Sequence, residues 1–154
     1  MQKKVQWLPL TLNLLLALGG GMLSFLFSSV SPAVYAHYSP PLAPPAVSIP
    51  IIWILFYLWM GYYAYRAFEL KSAYRGIARF LYYTQLLLSF LWMIIFFNTE
   101  AFLLTALWGV VLLGFTVLMI CAYAKIDRKI ALLQIPYALW LLFLSYIAAA
   151  IHFL

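Results

Sequence analysis

Charged residues are scarce in this chain. Only 8% of its 154 residues are Asp, Glu, Lys or Arg, whereas 68% are hydrophobic and the mean hydropathy is +1.05. A water-soluble fold of this size could not hide so much apolar surface, but a bilayer provides an apolar environment for it. The composition therefore predicts an integral membrane protein that contacts the lipid bilayer, and the length predicts one domain covering residues 1–154.

Residues that usually carry catalysis or bind metals are also rare. The one cysteine, Cys121, excludes an internal disulfide and a thiolate metal site, and we interpret it as a small packing residue. The two histidines, His37 and His152, are predicted in a loop and in the last turn, which fits interfacial side chains better than a pair of haem ligands. No Gly-rich phosphate loop or close pair of acids is present. We therefore predict no metal site, no catalytic residue and no required cofactor.

Long apolar runs divide the sequence. A hydrocarbon core about 30 Å thick requires about 20 apolar residues per helix. The chain has five such runs, and none has a charged residue well inside it. The predicted spans are 7–30, 49–67, 80–97, 101–124 and 130–154. They predict an all-α integral membrane bundle of five transmembrane helices, without a proton relay or a charged substrate path.

Positive charge marks one side of the predicted bundle. The formal net charge is +6, and Lys and Arg cluster at the amino terminus, around connection 68–79 and in connection 125–129. Because cytoplasmic connections are enriched in Lys and Arg, these segments are predicted inside and the carboxyl terminus outside. Lys3 and Lys4 also resemble the start of a signal peptide, but the apolar run after them is longer than a signal of about 7–15 residues. Basic residues placed in this way face lipid headgroups, so nucleic acid is not an expected partner.

A proline-rich stretch separates the first two predicted spans. The segment Pro40–Pro45 contains four prolines, which favour a stiff extended backbone. The long connection 31–48 is therefore predicted to be a lid or binding loop. The next helix carries Trp53, Tyr57 and Met60 at helical spacing, so loop and helix together predict the mouth of a pocket.

Aromatic residues are abundant, at 19% of the chain. Trp53, Trp92, Trp108 and Trp140 belong to four different predicted spans and lie several residues inside them. Four such residues could line one cavity that stacks on a flat ligand, or they could only pack the interior. Spacing alone does not separate these two alternatives.

Three motifs follow one another in a fixed order. They are Pro44-Pro45 with Trp53, Tyr57 and Met60-Gly61; Gln85-Leu86 with Leu88, Trp92 and Phe96-Phe97; and Pro136-Tyr137 with Trp140 and Phe143. With five spans, these motifs resemble the TspO/MBR family (tryptophan-rich sensory protein, translocator protein or peripheral-type benzodiazepine receptor family) over about residues 7–151.

The resemblance implies a five-helix bundle, often a homodimer, with a pocket beneath the first loop. Relatives bind porphyrins and haem-pathway tetrapyrroles, sterols in animals, and benzodiazepine-type ligands. The implied function is binding of a hydrophobic aromatic or tetrapyrrole-like ligand, porphyrin or possible haem-pathway compound, for transport, sequestration or sensing. The expected ligand-binding residues are Leu42, Pro44, Pro45, Trp53, Tyr57, Ser89, Trp92, Trp108, Trp140, Phe143, Leu144 and Ile147.

Several positions depart from the family pattern. Leu42 stands where relatives have a tryptophan, Ser89 replaces an asparagine, and Ile147-Ala148 replaces Leu-Asn. The porphyrin breakdown of some bacterial relatives is linked to that tryptophan, so we expect binding rather than turnover. The loss of two amides and one indole also predicts a more apolar pocket. A porphyrin-degrading membrane enzyme, and a structural or partner-binding subunit without a small ligand, are the alternatives.

Overall fold

Six helices contain most of the residues that this computed structural model describes, which are 5–28, 40–45 and 48–153. The helices are α1 (Trp7–Leu26), α2 (Ser48–Glu69), α3 (Arg75–Asn98), α4 (Phe102–Ala124), α5 (Arg128–Leu132) and α6 (Ile135–Phe153). With α5 and α6 taken together, five helical segments are long and apolar enough to cross a membrane. No strand occurs in the described ranges. The predicted all-α bundle with five membrane helices is confirmed.

The third helix begins earlier than its apolar run. Arg75 and Arg79, which the charge pattern assigns to connection 68–79, lie in the first two turns of α3. A helix can extend past the hydrocarbon core because its backbone hydrogen bonds are made within the segment, and arginine side chains can reach the headgroup region from there. The observed connection between α2 and α3 is therefore shorter than the predicted 68–79. Two of the charges that were assigned to it belong to a face of α3.

The fifth predicted span is interrupted near its start. Pro136 has no backbone N–H, and its ring would crowd the carbonyl of Leu132, so one continuous helix is disfavoured there. The chain instead ends α5 at Leu132 and begins α6 at Ile135. The indole Nε1 of Trp59 on α2 donates a hydrogen bond to the Leu133 carbonyl at 2.7 Å, inside this break.

Contacts between helices define their order around the bundle. Helix α1 packs against α2 and α3, and α4 packs against α3 and α6. Helices α2 and α6 face each other through aromatic rings, since Phe56 contacts both Tyr137 and Trp140. The order around the bundle is therefore α1, α2, α6, α4, α3.

The bulkiest side chains of the interior are aromatic. The largest fully buried residues are Trp53, Trp92, Tyr57, Tyr82, Tyr123 and Tyr137. Buried polar side chains, among them Gln85 and Ser89, face the same interior. Cys121 is exposed on α4, so its interpretation as a packing residue is wrong.

Basic residues lie together at one end of the bundle. There the amino end of α1, the carboxyl end of α2 and the amino end of α3 meet around one groove, and α5 contacts α2. We call this the basic end; its described Lys and Arg residues are Arg66, Lys71, Arg75, Arg79, Lys125, Arg128 and Lys129. Which side of the membrane it faces stays a prediction.

Candidate ligand-binding site

Trp53 on α2 is the centre of a buried aromatic cluster. Its side chain is 1% exposed, and its ring stacks on that of Tyr57, one turn further along α2, with centroids 5.3 Å apart. It also contacts Trp92 of α3 at 6.0 Å and, edge to face, Tyr137 of α6 at 6.4 Å. Tilted and edge-to-face pairs are the arrangements that aromatic rings prefer. Three helices thus place rings in one cluster.

On the α3 side, the cluster continues from Trp92 to Phe96. Their rings are nearly parallel, with centroids 5.0 Å apart. Ser89, one turn before Trp92, is fully buried, and its hydroxyl donates to the Leu86 carbonyl at 2.7 Å. Ser89, Trp92 and Phe96 therefore lie on one buried face of α3.

Trp108 of α4 is placed differently from Trp53 and Trp92. It is half-buried, and its indole Nε1 donates to the Leu88 carbonyl of α3 at 3.0 Å. This hydrogen bond ties α4 to α3 and leaves the indole without a free donor. Trp108 therefore contributes helix packing.

Trp140 and Phe143 form a half-buried row on α6. The Trp140 ring contacts Phe56 of α2 at 6.1 Å and Phe143 at 5.7 Å, and Phe143 contacts Tyr146 at 6.4 Å. The Tyr146 hydroxyl donates to the Pro41 carbonyl at 3.3 Å. The row therefore connects α6 with the proline segment. Two further predicted site residues on this helix, Leu144 and Ile147, are buried in the bundle.

The described part of the proline segment forms a tight turn. The Ala43 N–H donates to the Pro40 carbonyl at 3.0 Å, and Leu42 has a φ of 70°. Leu42 is 82% exposed and points away from the described core, whereas Pro44 is half-buried and Pro45 exposed. Most of the predicted lid 31–48 and His37 lie outside the described residues.

An apolar groove of about 450 Å³ opens between α1 and α2, beside the aromatic cluster. Trp53 and Tyr57 form part of its wall, together with Gly21 of α1 and Met93 of α3. Ligand pockets commonly have volumes of about 300–1,000 Å³, so the groove can hold a small ligand. Its outer rim carries exposed apolar side chains of α1 and α2, which would meet lipid. We call it the α1/α2 groove.

Buried polar atoms beside the cluster lack partners. Neither the Trp53 Nε1, the Trp140 Nε1 nor the Gln85 Oε1 has a hydrogen-bond partner among the described residues. A buried polar group without a partner costs about 1–3 kcal/mol, so such groups are usually satisfied by water or a ligand. Two indole donors and one amide acceptor are thus available at the aromatic interior.

Sequence reasoning missed two parts of this site. Tyr137 belongs to a recognised motif but not to the predicted binding set, although it contacts Trp53 directly. The α1 side of the groove was also missed, although the run Gly19–Gly21 indicates a close helix contact. A Cβ at Gly21 would overlap the Tyr57 ring, so glycine is what allows α1 to approach the groove wall.

Comparison with known proteins finds a family match and two similar proteins. The model of the TspO/MBR family matches residues 12–154. The tryptophan-rich protein TspO of Archaeoglobus fulgidus is 31% identical over 149 residues, which cover 96% of this chain and 97% of that protein. The tryptophan-rich protein TspO of Chlorobaculum tepidum is 28% identical over 154 residues, which cover 96% of this chain and 94% of the relative. These similarities extend over the whole described bundle.

Proposed function

Since the chain belongs to the TspO/MBR family of membrane proteins, we propose that it binds a hydrophobic aromatic or tetrapyrrole-like ligand for transport, sequestration or sensing. The observation that carries this proposal is the α1/α2 groove, whose wall includes Trp53 and Tyr57. The homodimer implied by the family resemblance belongs to the same proposal, and sedimentation of the purified protein in detergent tests it.

Three features support binding of a flat, largely apolar ligand in the groove. Its lining is almost entirely apolar, so a ligand that enters it leaves an aqueous or interfacial environment at a gain of about 25 cal/mol per Å² of buried apolar surface. The stacked rings of Trp53 and Tyr57 offer an aromatic surface to a planar ligand. The Trp53 Nε1 is buried without a partner in the described residues, so a ligand carboxylate or carbonyl that reaches it would accept a hydrogen bond.

The residues of the chain favour ligand binding over porphyrin degradation. At the loop position where relatives have a tryptophan, Leu42 offers no redox-active ring. We therefore expect bound porphyrin to keep its absorption spectrum under illumination as long as free porphyrin does.

Protoporphyrin IX titration of the purified protein tests the proposal. We expect saturable quenching of tryptophan fluorescence and a shifted Soret band with one site per chain. Trp53→Phe keeps a ring but removes the indole N–H and half of the stacking surface, so the Soret-derived Kd should rise about tenfold, equivalent to about 1.4 kcal/mol. Trp7→Phe is the matched control, because Trp7 is 74% exposed and lies outside the groove.

Different results would exclude different parts of the proposal. Absence of saturation would exclude tetrapyrrole binding. Equal Kd values for Trp53→Phe and wild type would exclude the α1/α2 groove as the site. Light-dependent loss of bound porphyrin beyond a free-porphyrin control would support the enzyme alternative.

A further inference from the structure

A second groove opens at the basic end of the bundle, between α1, the end of α2 and the start of α3. It measures about 800 Å³ and has a mixed polar and apolar lining. Its walls include Pro9 and Asn13 of α1, Glu69 of α2, and Arg75 and Arg79 of α3. We call it the polar groove. It shares no lining residue with the α1/α2 groove.

The polar groove exists because α1 stays close to α2 toward the basic end, whereas its contact with α3 lies nearer the other end of the bundle. Against α2, the α1 backbone at Asn13 and Leu14 lies close to Gly61. Against α3, the Ser24 hydroxyl donates to the Phe90 carbonyl, much nearer the other end of the bundle. Toward its amino end, α1 is held to α2 by a hydrogen bond from the Gln6 N–H to the Tyr65 hydroxyl at 2.9 Å. A gap toward α3 is therefore left open.

Two arginines line the α3 side of this gap. Arg75 and Arg79 are four residues apart, so they share one face of α3, and Tyr83 continues the same row. The Arg79 guanidinium lies 5.2 Å from the centre of the Phe68 ring, which holds the side chain by a cation–π contact. In the described part of the chain, neither arginine forms a salt bridge with an acidic residue. Both positive charges are thus free to face an anion.

The single acid of the groove does not cancel these charges. Glu69, the last residue of α2, lines the groove together with Tyr65 of the same helix. Two guanidinium groups against one carboxylate leave the groove with a net positive charge. Glu69 would weaken an anion's binding without preventing it.

The lining of the groove contains a further polar group, Asn13. The Asn13 side-chain NH2 donates to the Pro9 carbonyl at 2.9 Å, while its Oδ1 is buried and has no partner in the described residues. A buried acceptor of this kind is satisfied by water or by a hydroxyl group. The groove lining therefore combines two cationic side chains with one acceptor that has no partner in the described residues.

We propose that the polar groove binds the headgroup of an anionic membrane phospholipid. Arginine suits a phosphate because its planar guanidinium donates two parallel hydrogen bonds. Basic pockets between transmembrane helices are known to take anionic headgroups. The outer face of α1 beside the groove exposes Trp7, Leu8 and Leu12, along which acyl chains can lie. A lipid thus fits both the charge and the surroundings of the site, whereas a soluble phosphate ester uses only the charge.

Native mass spectrometry with an equimolar mixture of phosphatidylglycerol and phosphatidylcholine tests this proposal. We expect one phosphatidylglycerol per chain to survive delipidation, with a preference of about tenfold or more over phosphatidylcholine, since each basic group near anionic lipid contributes about 1 kcal/mol. Arg75→Gln/Arg79→Gln should lose that preference. Lys125→Gln/Arg128→Gln is the matched control, because it removes the same charge at the same end outside the groove.

Two further variants distinguish a built site from general attraction. Glu69→Gln removes the like charge and should tighten phosphatidylglycerol binding by several fold. Arg75→Lys/Arg79→Lys keeps the charge but not the paired donors, so its lipid preference should fall between those of wild type and the Gln pair. Thermal unfolding in detergent will reveal whether Arg75→Gln/Arg79→Gln is folded. If it is not, these two variants still test the proposal.

Three results would overturn the proposal. The first is an equal loss of lipid in the Lys125→Gln/Arg128→Gln control, which would indicate non-specific attraction. The second is an unchanged preference for phosphatidylglycerol in Glu69→Gln and in both arginine double variants. The third is tighter binding of glycerol 3-phosphate than of phosphatidylglycerol, which would identify a soluble phosphate ester in place of a lipid.

Discussion

Gly109 of α4 lies directly against Ser145 of α6, so closely that a Cβ at Gly109 would overlap the serine Oγ. These two helices form the most extensive helix pair in the described bundle. The Ser145 hydroxyl donates to the Leu141 carbonyl of its own helix at 2.9 Å, so it does not depend on α4 for a partner. Close approach of small residues is therefore what holds this pair together, as is common in membrane bundles.

Gly109→Ala should lower the thermal stability of the purified protein. The added methyl group must displace Ser145 or separate α4 from α6, and overpacking of this kind costs about 1–3 kcal/mol. Gly114→Ala on the same helix is the control, because a Cβ there meets no atom within 4 Å. In Gly109→Ala/Ser145→Ala the overlapping hydroxyl is gone, and stability should largely return. Equal melting temperatures for Gly109→Ala and Gly114→Ala would contradict the close contact.

Gly21→Ala should weaken ligand binding in the α1/α2 groove. A Cβ at Gly21 would overlap the Tyr57 ring, so either the ring or α1 must move, and the wall formed with Trp53 is disturbed. We expect the protoporphyrin Kd to rise about fivefold or more, equivalent to about 1 kcal/mol. Gly19→Ala, where a Cβ would meet nothing within 4 Å, should leave it unchanged. A shift of the same size in both variants would mean that the α1 backbone, rather than the groove, controls binding.

Asp127→Ala should destabilise the start of α5. The Asp127 carboxylate accepts hydrogen bonds from the Lys129 N–H at 2.7 Å and the Ile130 N–H at 3.4 Å, which is a helix N-cap. Loss of such a cap costs about 0.5–2 kcal/mol, visible as a lower melting temperature. Asp127→Asn keeps an acceptor and should change stability by only a few tenths of a kcal/mol. If the two variants melt alike, the capping bond contributes nothing measurable.

Leu42→Gly should stabilise the turn at Pro40–Ala43. A φ of 70° is unfavourable for leucine, and holding a residue in this region costs about 1–3 kcal/mol of stability. Glycine removes this strain, but its greater freedom in the unfolded chain cancels part of the gain in stability. Leu42→Ala keeps the strained backbone and should bring no gain. Limited proteolysis of the loop and thermal unfolding should both show greater resistance for the glycine variant than for the alanine variant.

The fold was largely predictable because the length of each apolar run can be read directly from the sequence. The predicted span 49–67 differs from Ser48–Glu69 by one or two residues at each end. The start of α3 was not predictable from the same signal, because Arg75 and Arg79 lower hydropathy without ending a helix. The break before α6 was missed because Pro136 was considered as part of a motif and not as a residue that interrupts backbone hydrogen bonding.

The interior could be predicted only where a helix has a distinct inner face. Ser89, Trp92 and Phe96 lie at helical spacing on α3, and all three are buried. Helix α4 is apolar on every side, so its sequence does not indicate how it is rotated. The hydrogen bond of Trp108 to α3 could not be foreseen for this reason. The role of the predicted site residues in ligand binding stays a prediction.

The break between α5 and α6 has a consequence for the mechanics of the bundle. Where a helix is interrupted in a membrane protein, an exposed carbonyl must find another donor, because little water competes for it. The Leu133 carbonyl accepts a hydrogen bond from the Trp59 indole, so the interrupted segment links the last span to α2. A proline that weakens one helix therefore adds a polar tie between two.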